Sequence, residues 1–273
     1  MRRVAVVKGP RSLETVYRAL DLVPVGEALK GWERVLIKVN FITTKSWESG
    51  ATTDPLVVEA LVHRLRELGK EVLVVESDAQ MTNADKAWEA SGVKEVCQRL
   101  EVPFVNMRRA EKAEVEVAGG LALRRVKVAK LALESGRVSA AKLKTHSETK
   151  VTLGLKNMFG MLTAKHKFRF HLMGIEKVIR DVNTVVPPHL TVIDGFVGME
   201  GKGPVHGRPV KMDTVIAGVD PVATDAVAAR AMGFEPGEVE HIRLCREAGV
   251  GDYEEVLVVG DGLEAVRRVF ARA

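Results

Sequence analysis

The chain has 273 residues, 46% of them apolar, with 41 basic and 36 acidic side chains and only two cysteines. This composition describes a globular protein and excludes a disulfide framework; two thiols also leave no iron–sulfur cluster expected within one chain. The formal net charge of +5 does not by itself imply a polyanionic partner, and no apolar stretch approaches membrane-spanning length.

The opening MRRVAVVKGP has an apolar run of only four residues, shorter than the core of a signal peptide, so it reads as a first strand of a cytoplasmic protein. RSLETVYRALDLV has helical spacing, and ERVLIKVN reads as a second strand buried on both faces. Asp54-Pro55 is an N-cap and first helical residue for PLVVEALVHRLRELG, which Gly69 ends. EVLVVES is a third buried strand, and a helix is expected over residues 83–100. Strand–helix alternation of this kind predicts an α/β fold: a largely parallel sheet flanked by helices in three layers.

Residues 102–141 break the pattern. VPFVNM, AEVEVA and LRRVKVAKLAL are short alternating segments around the turn signal Gly119-Gly120, which predict a small antiparallel insertion or subdomain. The α/β pattern then resumes with RVSAAKLK, a helix over 172–185, the strands HLTVIDG and TVIAGVD, and a helix over 221–232. A helix over 236–248, the strand EEVLVVG and a terminal helix close the chain. Without a repeat or long linker, residues 1–273 form one α/β domain. Abundant charge with scarce Asn and Gln fits a thermophilic source.

Charge is concentrated in residues 142–171, KLKTHSETKVTLGLKNMFGMLTAKHKFRFH, where six lysines and one arginine meet one acid, Glu148. Glycines and apolar runs between the charges point to backbone folded around an anion. In open α/β sheets ligands bind beyond the carboxyl ends of the strands. Lys38 and Asn40, Glu76 to Asp78, Lys142 and Lys144, Asp194, and Asp220 all fall at such ends. Period-two alternation puts Lys144 and His146 on one side of the KLKTH strand, with Lys142 behind. Lysine holds phosphate or carboxylate, and histidine shuttles a proton near neutrality. GLKNMFG lacks the P-loop and G-x-G-x-x-G patterns, yet Lys156, Asn157 and nearby amides suit an anion. His166 and His171 are five apart, the wrong offset for two metal ligands on one helical turn.

IDGFVGMEGKGPVHGRP reads as a long glycine-rich loop after a strand. Gly201 and Gly203 permit close backbone approach to a ligand, and Asp194 and Glu200 are candidates for acid, base or ligands of a divalent cation. Asp220 looks like a helix cap, with Asp225 one turn inside.

The stretches IKVN, ATTDP, VVES, KLKTHSETKVTLGLKNMFG, IDGFVGMEGKGPVHGRP and GVDPVATDAVAARAMG, in this order and spacing, resemble the family catalogued as domain of unknown function 362. That resemblance implies no settled reaction. Many similar proteins carry a ferredoxin-like cysteine module, which this chain lacks. Val39 stands where the family usually has Pro, and Asp54 where it usually has His.

The leading expectation is an enzyme for a small anionic substrate or cofactor. Lys38, Asn40, Lys144, Lys156, Asn157, Gly201 and Gly203 bind it; His146, Asp194 and Glu200 are the catalytic candidates. A non-catalytic anion or cofactor binder, or a redox partner, is the alternative and needs the lysines alone. Nucleic-acid binding ranks third, since no recognition motif accompanies the basic stretch. Metal identity and oligomeric state stay open.

Overall fold

The computed structural model describes residues 1–79, 82–164 and 167–273. Its strands are β1 (Arg2–Lys8), β2 (Arg34–Lys38), β3 (Glu71–Glu76), β4 (Phe104–Asn106), β5 (Lys112–Glu116), β6 (Arg125–Ala129), β7 (Gly136–His146), β8 (Lys150–Thr152), β9 (Leu190–Glu200), β10 (Arg208–Gly218) and β11 (Val256–Gly260). A nine-stranded sheet runs in the order β11-β1-β10-β9-β7-β2-β3-β4, with β8 paired to β7. Among the described residues, only β10 and the short β8 run against the common direction.

Helices cover both faces, as the alternation predicts. One face packs against the helices Leu13–Asp21, Pro55–Glu67 and Val93–Arg99, through Val16, Leu20, Leu61 and Leu65. The other packs against Ile175–Val185, Pro221–Ala231 and Glu240–Glu247, through Ile179, Ala223, Val227 and Ile242. Asp54 and Asp220 cap their helices by accepting the amides of Leu56 and Val222, each with proline at the first helical position. Cys97 and Cys245 are buried in separate cores on opposite faces.

Four segments depart from the sequence reading. Residues 83–100 form two helices, Ala84–Ala90 and Val93–Arg99, because Ser91-Gly92 breaks the run and the Ser91 hydroxyl accepts the Val93 amide. VPFVNM joins the main sheet as the parallel edge strand β4, leaving β5 and β6 as a separate antiparallel pair. The glycine-rich stretch after Asp194 is strand as far as Glu200, where β9 ends; only residues 201–207 form a turn, which leads back into β10. The terminal helix does not form. Instead the Arg268 and Phe270 amides bind the carbonyls of Ala231 and Met232 at the end of a helix, and Phe270 enters the core. The orphan carbonyls of that helix are satisfied by the tail.

The topology fixes where a ligand can sit. The chain moves from β2 outward to β3 and β4, and later returns on the other side of β2 as β7, so the strand order reverses between β2 and β7. β7 also outlasts β2. It pairs with β2 through Ser139, then with β8 from Lys144 to His146. Residues from both partners border the crevice that opens there.

Candidate functional site

A cavity of about 300 Å³ lies beyond the carboxyl ends of β2, β3 and β7, and Lys38, Glu76, Ser77, Lys144, His146, Lys156, Phe159 and Lys167 are among its lining residues. Such volume suits a small molecule rather than a polymer.

Its floor is built by β2 and the turn Gly154–Asn157. Lys38, fully buried, donates to Glu76 Oε1 at 2.6 Å, to the Val39 carbonyl at 2.7 Å and to Asn157 Oδ1 at 3.2 Å. Burial lowers its pKa, and the Glu76 carboxylate offsets part of that. Asn157 returns a hydrogen bond to the Lys38 carbonyl at 3.0 Å, and Asn40 donates to Asn157 Oδ1 at 3.0 Å. A Cβ at Gly160 would sit 2.5 Å from Lys38 Nζ, so any larger residue there would displace the ammonium from this position.

Asp225 sets the position of that turn. Its two oxygens accept the amides of Gly154 and Leu155, each at 2.8 Å, and burial raises its pKa to about 7. The sequence shows Asp225 only as a polar residue one turn inside a helix; its partner lies 71 positions away and leaves no local signal.

Cations dominate the walls. Lys144 is fully buried and donates to the Ala51 carbonyl at 2.6 Å. Burial, with Lys156 and Lys142 nearby, pushes its pKa well below the usual lysine value. Burial also brings Lys156 and Lys167 down to about 8. Their ammonium groups lie 5.8 and 5.7 Å from the centroid of the Phe159 ring, which offers its π face to cations. Lys167 donates to the Ser77 hydroxyl at 2.6 Å. Among the described residues, none of Lys144, Lys156 and Lys167 has a carboxylate within ion-pair distance.

His146 ends β7. Its Nδ1 accepts the amides of Glu148 and Thr149 at 3.1 and 3.4 Å, so Nε2 carries the proton of a neutral ring. Burial, then Lys156 and Lys144, hold its pKa far below the ordinary histidine value. At the rim, His171 Nδ1 lies 2.9 Å from both Glu148 oxygens.

Six of the ten residues expected from the sequence meet in this cavity: Lys38, Asn40, Lys144, His146, Lys156 and Asn157. The period-two reading of KLKTH is visible in the geometry, with Lys144 and His146 at the cavity and Lys142 behind it. The other four lie elsewhere. Asp194 is wholly buried with Lys142, 2.7 Å away, and accepts the Asp54 amide at 2.8 Å. Burial raises the Asp194 pKa and Lys142 pulls it back. Glu200 accepts from Arg208 at 3.0 Å and from the Ala271 amide at 3.0 Å, fastening the C-terminal tail. Gly201 receives the Thr145 hydroxyl on its carbonyl. Gly203 packs on the Thr145 backbone and leads into Pro204 and Val205, which do line the cavity.

Asp54 accepts two hydrogen bonds from Arg11 at 2.7 Å each. That pair anchors the segment whose Ala51 carbonyl holds Lys144. Among the described residues, no group of three or more His, Cys, Asp or Glu side chains is gathered as a metal site, and no helix is long and apolar enough to cross a membrane. His166 lies outside the described residues. Glu76, Ser77 and Lys167 are cavity residues absent from the expected set; the strand-end rule flags the first two.

The profile of the Domain of unknown function (DUF362) family matches residues 35–230, most of the chain and all the strands that carry this cavity. The protein belongs to the DUF362 family. It is also similar to the thylakoid-associated protein sll1697 of Synechocystis sp., at 27% identity over 235 residues, covering 84% of this chain and 71% of the relative.

Proposed function

We propose that this DUF362 protein binds a small anion, a phosphate or carboxylate, in the cavity between β2, β3 and β7, as a substrate or cofactor. One observation carries the reading: Lys144, Lys156 and Lys167 converge on a small cavity without carboxylate partners among the described residues. Burying cations without counter-charge is costly, and a bound anion removes that cost. Lysines at the reversal point of an α/β sheet also stand where ligands of such folds bind.

Neutral His146 is the proton carrier of the catalytic version of this reading. It can donate through Nε2 to an atom gaining negative charge, beside cations that stabilise that charge. The non-catalytic version draws on a specific feature. Asp194 and Glu200 are committed to Lys142 and Arg208, so these two candidate acids do not face the cavity. The lysines serve both versions.

The test is thermal unfolding of the full chain with inorganic phosphate, sulfate and small mono- and dicarboxylates, using Lys156→Ala as control. A concentration-dependent rise in Tm for the wild type, lost in the variant, is the expected result. Equal shifts in both proteins would overturn the assignment.

A further inference from the structure

Ser77 and Lys167 form a contact that anion binding does not need. Ser77 follows the last residue of β3, with its side chain on the cavity wall. Lys167, 90 positions further along the chain, places Nζ 2.6 Å from Ser77 Oγ. The serine proton is directed at the Gly160 carbonyl. Ser77 is held in place from behind, since its amide donates to Glu76 Oε1 at 2.9 Å. Both side chains are almost wholly buried from bulk water, yet both line the cavity.

A hydroxyl in hydrogen-bond contact with an amine, fixed by a third group and facing a ligand cavity, is the arrangement of a serine nucleophile with a lysine base. We propose that Ser77 is a nucleophile activated by Lys167, and that the cavity hydrolyses a small ester whose anionic end rests against Lys144 and Lys156. The substrate class rests on the anion-binding reading above.

The chemistry balances with water alone. Neutral Lys167 takes the proton that Ser77 now points at Gly160 as the serine oxygen bonds to the ester carbonyl carbon. The adduct collapses by breaking the carbon–oxygen bond to the alcohol, which leaves with the proton from Lys167. Water, deprotonated by the same amine, then attacks the acyl-serine, releasing the acid and restoring the Ser77 hydroxyl. Lys167, lowered to about 8 by burial, is neutral in a useful fraction near neutral pH. Cations in the same cavity offset the charge that develops on the carbonyl oxygen.

The experiment is labelling of the full chain with an alkyl fluorophosphonate, read by intact mass and peptide mapping. One adduct per chain on Ser77 is expected. Its rate should rise about tenfold from pH 7 to pH 9, following loss of the Lys167 proton. Lys167→Met should abolish it, and excess sulfate should slow it. A wild-type peptide map without an adduct on Ser77 overturns the proposal and depends on no variant folding. So does equal labelling of Lys167→Met. Failure to label while sulfate still raises Tm removes the nucleophile and leaves anion binding standing; labelling of Ser77 that sulfate neither slows nor accompanies with a Tm rise does the reverse.

Discussion

Lys38 and Asn157 hold each other twice: the ammonium donates to Asn157 Oδ1 at 3.2 Å, and the Asn157 amide donates back to the Lys38 carbonyl at 3.0 Å. This reciprocal pair joins the end of β2 to the GLKN turn, 119 positions away in the chain. It converts a basic stretch of sequence into one wall of a cavity. Asn157→Leu is nearly isosteric and removes both bonds while leaving Lys38 buried with unsatisfied groups. A loss of about 2–4 kcal/mol is expected in urea unfolding, more than an exposed amide would give. A loss under 0.5 kcal/mol would show that the pair does not organise the turn.

Asp225 makes stability pH-dependent. Its folded pKa, about 7, is raised above the ordinary aspartate value of about 4, so the folded state holds a proton that the unfolded state has released between those values. Stability should therefore fall as pH rises from about 4 to about 7 and level off above it. Asp225→Asn should flatten this slope while costing about 1–3 kcal/mol at the lower pH, since it accepts one amide fewer. Denaturant titrations of both proteins across this range check the sign.

Anion affinity should also fall as pH rises, over a higher range. Lys156 and Lys167 are lowered to about 8, so each is charged at pH 7 and largely neutral at pH 9. Sulfate, whose own charge is constant here, should bind about tenfold more weakly at pH 9 than at pH 7 for each lysine it requires. In the ligand-free protein the same depressed values give stability that rises with pH between about 8 and the ordinary lysine value. Calorimetric titration with sulfate at the two pH values measures the affinity directly.

His146 should remain neutral. With burial, Lys156 and Lys144 all disfavouring its charged form, its ring carbons should show no titration by NMR between pH 8 and pH 5. A His146 midpoint near 6.5 would mean that the ring is open to solvent.

The Lys142–Asp194 pair separates scaffold from site. Removing one partner of a wholly buried pair strands the other charge, so Asp194→Asn should cost about 3–5 kcal/mol. The folded fraction should bind sulfate as the wild type does, because Asp194 does not reach the cavity. Altered affinity in that variant would place Asp194 in the site after all.

Much of this arrangement was legible in the sequence where the signal is local. Buried apolar runs marked the parallel strands, period two placed Lys144 and His146 together, and the strand-end rule brought Lys38 to the crevice. The misreadings come from long-range competition. Glycines after Asp194 looked like loop, yet Gly198 sits where the strand passes close over the Leu143 carbonyl and Gly195 where it nears that of Thr214. The C-terminal segment has helical composition, but Glu200 and the carbonyls of Ala231 and Met232 offer its backbone better partners. Lys167 and Asp225 act through residues 90 and 71 positions away, a separation that periodicity does not encode.

The central claim is that the lysine-lined cavity holds an anion. Crystals of the full chain grown with selenate, measured at the selenium edge, test it most directly. The account predicts an anomalous peak inside the cavity within hydrogen-bond distance of Lys156 and at least one of Lys144 and Lys167. Selenate bound only at exposed surface lysines, with the cavity holding water alone, would contradict it.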